Sequence, residues 1–150
     1  MKIPAFLLLT LGLVLTSCSQ NNTDQLSDDQ NITTMQNPYP FQITQGNGEY
    51  MIMAHIESDD LFKKYYPLFT KHKYEGNGYC WEGHITQILE KKDPELLDHL
   101  DFDPEAGGFY VYADTEENQL KFVQVLSPIF SDLGQLEEYI KSADRSRIDD

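Results

Sequence analysis

Cysteine is scarce in this chain, with only Cys18 and Cys80 among 150 residues. Two cysteines cannot build the disulfide framework that holds many small secreted domains together, so the fold must rest on a hydrophobic core. Basic residues are also few: 11 Lys and Arg stand against 25 Asp and Glu, for a formal net charge of −14. Such acidity repels phosphate backbones and anionic lipid, and it argues against nucleic-acid binding. No apolar run reaches the ~20 residues that a membrane-spanning helix needs. Catalytic patterns are missing too. His55, His72, His84 and His99 form no H-E-x-x-H pair, and the cysteines cannot complete a zinc site. There is no nucleophile elbow, phosphate loop or G-x-G-x-x-G. The sequence therefore predicts no catalytic residues, no metal and no cofactor.

What is present begins at the amino terminus. Lys2 precedes an apolar stretch, Ile3 to Val14, that includes Leu7, Leu8 and Leu9. Its length suits the h-region of a signal peptide. Leu15-Thr16-Ser17-Cys18 follows and resembles the lipobox of bacterial lipoproteins. That resemblance implies cleavage before Cys18, a diacylglyceryl thioether on its sulfur and an acylated new amine. Several acyl chains make a stable anchor, because each buried methylene adds ~0.8 kcal/mol. The expectation is a signal peptide over 1–17 and a lipid-anchored protein of the cell envelope. A plain signal peptide with an incidental cysteine is the alternative. Cleavage would remove Lys2 and no acid, which takes the net charge to about −15. That charge can steer a basic partner into encounter, or it can simply keep an exported protein soluble. With Cys18 committed to lipid, Cys80 stays a thiol. Its place beside Trp81 on an apolar helix face predicts burial, and no basic residue adjoins it to lower its pKa for nucleophilic chemistry.

Residues 18–37 are rich in Asn, Gln, Asp, Thr and Ser. They cannot bury enough apolar surface to offset their ordering entropy, so they read as a flexible tether. As a random coil it would reach on the order of 25 Å. Asn31-Ile32-Thr33 within it matches a glycosylation sequon.

A single domain is expected over 38–145, with a charged tail at 146–150. Phe41 and Ile43 alternate with polar residues, as do Tyr50, Ile52, Ala54 and Ile56, and Asn47-Gly48 between them predicts a tight hairpin. Ser58-Asp59-Asp60 predicts a helix start, with Leu61, Phe62, Tyr65, Tyr66 and Phe69 behind it and Pro67 kinking or ending it. A second helix should begin near Tyr79, with Trp81, Ile85, Ile88 and Leu89 on one apolar face and His84 at its flank. Asp93-Pro94 predicts a short third helix that buries Leu96, Leu97 and Leu100. Phe102 and then Phe109 to Ala113 read as strands around a turn at Pro104 to Gly108. Asp114 to Glu117 has capping-box spacing, and Phe122, Val125, Leu126 and Ile129 stripe the helix behind it, which Pro128 should bend or divide. Leu133, Leu136 and Ile140 mark a last helix. This order gives an α+β fold: an antiparallel sheet of about four strands, from two hairpins, with helices on one face.

Asp101, Asp103 and Glu105 form the densest acidic cluster. Paired carboxylates can perform acid–base chemistry or bind calcium, but the spacing is not that of an EF-hand loop, and Asp-Pro is common turn chemistry. Tyr110 and Tyr112 share one strand face, opposite Phe109 and Val111. They either complete a thin core or, if no helix covers that face, form a binding surface. Asp101, Asp103, Glu105, Tyr110 and Tyr112 are thus the candidate partner-binding residues.

Two stretches stand out together. Gly76, Asn77, Gly78, Tyr79 and Trp81 precede Phe102, Asp103, Pro104, Glu105, Ala106, Gly107 and Phe109 by about twenty residues. In this order and spacing they resemble the immunity protein 51 family of bacterial polymorphic toxin systems. The family pattern has Asp where this chain has Cys80, and Met where it has Gly108. The resemblance implies a protein that is not an enzyme and that binds and neutralises a cognate toxin domain, and the acidity fits a basic toxin. The alternatives are an envelope lipoprotein with hydrolase activity through Asp103 and Glu105, or one that binds a small ligand.

Overall fold

In the computed structural model the residues described are 38–149. The signal peptide, Cys18, the tether and the sequon lie outside them. Asn47 and Gly48 both take positive φ, 54° and 83°, as a two-residue turn between right-twisted strands requires. They join β1 (Gln42–Gly46) to β2 (Glu49–Ala54) in antiparallel register. The chain continues through α1 (Asp59–Lys71), α2 (Gly78–Lys92) and a 3-10 turn (Pro94–His99). A second hairpin, β3 (Leu100–Phe102) and β4 (Phe109–Ala113), is followed by α3 (Glu116–Ser131) and α4 (Leu133–Ser142).

The sheet order is β1-β2-β4-β3 and every pairing is antiparallel. The second strands of the two hairpins lie side by side, Ile52 opposite Val111. Ile52, Ala54, Phe109, Val111 and Ala113 are buried on one side of the sheet, under α2 and α3. This is the expected two-layer α+β architecture. Trp81 is the hub of the core: it is wholly buried, with its ring 4.9 Å from Phe130, 5.1 Å from Tyr65 and 6.1 Å from Phe69. Tyr65 donates its hydroxyl proton to the Phe130 carbonyl at 2.8 Å, which ties α1 to the end of α3.

Several local expectations are corrected. Pro67 lies inside α1 without ending it; the buried side chains on both sides of it, Tyr65 and Phe69, hold the helix on the core across the missing N–H. Pro128 likewise sits within α3, between buried Leu126 and buried Ile129. Phe62 and Tyr66 point outward, 45% and 43% exposed. The cap of α3 is Thr115, which accepts from the Asn118 amide, whereas Asp114 takes the Asn118 side chain and His99. Only Leu96 of the three leucines is fully buried, and Leu100 belongs to β3. His84, expected at a helix flank, is buried against Tyr74 and Phe69. The tail docks from Asp144 onward: the Asp144 amide donates to Gln87 at 2.7 Å, and Arg147 pairs with Glu90. No helix among the described residues is long and apolar enough to cross a membrane.

Candidate functional site

Strand pleating sends alternate side chains to opposite faces, and residues directly opposite on paired strands share a face. The outer face can therefore be read from the register. One row runs Thr44, Met51, Tyr112, Asp101, and the next runs Gln42, Met53, Tyr110. The Asp103 amide donates to the Tyr110 carbonyl at 3.0 Å and extends the second row to Asp103. Gln42, Thr44, Asp101 and Asp103 are exposed, and Met51, Met53, Tyr110 and Tyr112 are half-buried. A strip of two methionines and two tyrosines thus occupies the middle of a solvent-facing sheet, with neutral polar groups along the β1 edge and carboxylates along the β3 edge. His55 lies at the end of this strip, its ring 6.2 Å from Tyr110.

Glu105 continues the acidic edge into the turn. Its amide donates to the Gly108 carbonyl at 2.9 Å, and the reverse bond is 3.3 Å. A Cβ on Gly108 would lie 2.7 Å from the Tyr110 ring, so Tyr110 lies across the space that a side chain at 108 would take. The five predicted partner-binding residues are therefore brought together on one face and its rim. The sequence reading missed Met51 and Met53, which the alternation of Tyr50-Met51-Ile52-Met53-Ala54 could have revealed.

The two motif stretches meet behind this turn. Asn77 caps α2 by accepting from the Cys80 amide at 2.8 Å. A Cβ on Gly78 would lie 2.1 Å from the Glu105 carbonyl oxygen and 2.2 Å from that of Gly108. The helix start and the turn are thus in backbone contact. Gly76, Asn77, Gly78, Trp81, Pro104, Gly107 and Phe109 build the fold here, while Tyr79 and Ala106 are exposed and Phe102 is half-buried. Cys80, where the family pattern has Asp, is fully buried.

Charge is unevenly distributed. No Lys or Arg occurs from Gln42 to Asp60 or from Asp93 to Leu120, the segments that contain all four strands. Among the described residues the Lys and Arg lie on the helices and tail, apart from Lys73 in the loop between α1 and α2, and many are in ion pairs such as Lys63–Asp59, Lys71–Glu137, Lys121–Asp93 and Lys141–Glu138. Near the β3 edge, His99 bonds Asp114 at 2.7 Å. Hydrogen bonds from Asn118 and His99 hold the Asp114 carboxyl below its ordinary pKa. Among the described residues no group of three or more His, Cys, Asp and Glu side chains could hold a metal ion. What the outer face offers chemically is amphipathic contact area and negative potential.

The family model for immunity protein 51 matches residues 46–145, a span that takes in the first turn and β2, the whole second hairpin, both motif stretches and α1 to α4, and that leaves out β1 apart from Gly46. No curated protein and no solved structure matches the chain. On the family match, the chain belongs to the immunity protein 51 family.

Proposed function

We propose that this member of the immunity protein 51 family is a lipid-anchored inhibitor that neutralises one cognate toxin domain by covering it with the outer face of its sheet. Family membership supports the toxin-neutralising role. The observation that carries the surface assignment is the convergence of Asp101, Asp103, Glu105, Tyr110 and Tyr112 on one solvent-facing sheet devoid of Lys and Arg. Tyrosine and methionine supply apolar area with polar tips, the composition enriched at interface centres. Carboxylates at the rim favour a basic partner, chiefly through the rate of encounter. Inhibition by occupation needs no acid–base pair, no nucleophile and no cofactor. The lipobox-like Leu15-Thr16-Ser17-Cys18 supports an acyl anchor on Cys18, with 18–37 as the tether that lets the domain reach an incoming toxin in the envelope. The mass of the mature amino-terminal peptide checks that anchor, and an unmodified start elsewhere refutes it.

Stoichiometry tests the mechanism. The purified chain is titrated into activity assays of toxin domains secreted by its own host. Protection should be complete near one equivalent and should weaken at least tenfold on Tyr112→Ala, as expected of a central aromatic anchor worth ~2 kcal/mol. Full protection at a small fraction of an equivalent would mean turnover and would overturn inhibition by occupation.

A further inference from the structure

Phe62 and Tyr66 occupy successive turns of α1 on the side facing away from the core. Their rings stack at 4.5 Å with 17° between planes. The pair forms one wall of a groove of about 340 Å³ whose other walls include Glu57, Glu75, Asn77 and Ala106, and no Lys or Arg lines it. Gly76, in the wall between Glu75 and Asn77, takes φ 74°, and a Cβ there would press inward on the buried Phe69 at 3.1 Å. The groove abuts the acidic turn of the sheet face: the Glu57 amide donates to the Gly107 carbonyl at 3.4 Å, and a Cβ on Gly107 would lie 3.0 Å from the Glu57 carboxylate. Ala106 belongs both to that turn and to the groove.

We propose that this groove receives a lysine or arginine side chain of the toxin domain. The proposal rests on the toxin-binding reading above and adds a second contact to it. An aromatic face attracts a cation through its quadrupole, and a guanidinium also stacks on it flat. The Glu57 carboxylate in the groove wall can accept a charge-assisted hydrogen bond from that head group, and Glu75, whose Oε2 accepts from the Asn77 side chain at 3.4 Å, adds negative charge to the lining. A neutral side chain gains neither the cation–π attraction nor the ion pairing, and an acidic one is repelled. A partner that covers Glu105 stands at the mouth of the groove, so one basic residue at its margin can enter.

The test separates this contact from toxin binding as a whole. The full-length chain is titrated with N-acetyl-arginine amide, N-acetyl-lysine amide and the uncharged isostere N-acetyl-citrulline amide, and backbone amide shifts are followed by NMR. Saturable shifts at Gly76, Asn77 and Ala106 are expected with at least one of the two cations and not with citrulline. The double substitution Phe62→Ser, Tyr66→Ser should weaken them at least tenfold, and Glu57→Gln about threefold. Both substitutions fall at exposed positions, and unchanged shifts in the Trp81 region will report an intact fold. Tyr112→Ala should leave the cation response intact. Absence of saturable shifts at those amides, an equal response to citrulline, or an unchanged response in the double variant would overturn the groove. Failure of every secreted toxin to bind, with the cation response present, would instead overturn the toxin reading alone.

Discussion

At position 78 a single methyl group decides whether α2 can start where it does. The Cβ of an alanine would sit 2.1 and 2.2 Å from two backbone carbonyl oxygens, those of Glu105 and Gly108. Neither is the end of a flexible side chain, so the helix or the turn must move. Gly78→Ala should therefore destabilise the domain by ~3 kcal/mol or more, the upper range for overpacking. Gly46→Ala, where a Cβ meets nothing within 4 Å, should change stability by no more than ~0.5 kcal/mol. Similar denaturant midpoints for the two variants would show that the helix start and the turn are not in contact. His84 supplies a second prediction at this scale. It is buried, and neither ring nitrogen finds a hydrogen-bond partner. Burial first, with Arg145 and His72 adding repulsion, pushes its pKa down to about 4 from 6.5. The unfolded chain therefore binds the extra proton between those values, and the stability contributed is full above about pH 6.5 and lost as pH falls toward 4. From pH 7 to pH 5 the loss should be about 2 kcal/mol. His84→Leu should flatten that slope. Glu137, held at about pKa 2 by Lys71 and His72, loses its contribution at lower pH, outside this window. An equal slope in parent and variant would place the acid sensitivity elsewhere.

Elements were legible in the sequence where one local rule decided them, and illegible where tertiary contact did. Asn47-Gly48 needs only its own backbone preferences to make the first hairpin, and the alternation from Phe109 to Ala113 divides that strand into two faces without reference to anything else. The prolines show the opposite. Local rules have Pro67 kink or end α1 and Pro128 bend or divide α3; both helices run on past their proline, and buried aromatic and aliphatic side chains flank both positions. The candidate face was half legible for the same reason. Strand alternation puts Tyr110 and Tyr112 together, and likewise Met51 with Met53, but that the two pairs lie side by side follows only from the pairing of β2 with β4, strands separated in the chain by α1, α2, the 3-10 turn and β3. Gln119 was also beyond local reading. It is wholly buried on the apolar side of α3, where its side-chain amide donates to the carbonyls of Thr44 and Met51 at 2.9 and 2.8 Å and accepts from Gln45 at 3.0 Å. This bracket fastens α3 to the first hairpin. Gln119→Leu leaves those groups without their donor and should destabilise the domain by ~1–3 kcal/mol. Amide exchange should quicken in β1 and β2 before it does in β3 and β4. Uniform acceleration across the sheet would mean that Gln119 does not hold the hairpin specifically.

Across the whole molecule, net charge and charge placement make different predictions. A soluble acidic protein needs only the total, whereas a steering surface needs the acids on the side that docks. In this chain the strands and their turns lack Lys and Arg altogether, and the ion pairs gather on the helices and tail. The negative potential is therefore concentrated on the sheet, and screening should act there. Association with a basic toxin should slow as ionic strength rises and the Debye length shrinks below ~10 Å, with dissociation changing little. Placement can be isolated by removing equal charge from two sides. Asp101→Asn with Asp103→Asn takes two charges from the docking edge, and Glu90→Gln with Glu138→Gln takes two from helices α2 and α4. Both pairs change the net charge identically, so a purely global effect would slow association equally. Rim charges act mainly on the rate of encounter and on its salt dependence. The sheet-edge pair should therefore lower the association rate several-fold at low salt and flatten its dependence on ionic strength, while the helix pair leaves both nearly unchanged. Equal slowing by the two pairs in stopped-flow measurements would assign the acidity to solubility and remove the charge argument for the sheet face. A larger effect from the helix pair would move the docking surface to the opposite side of the molecule.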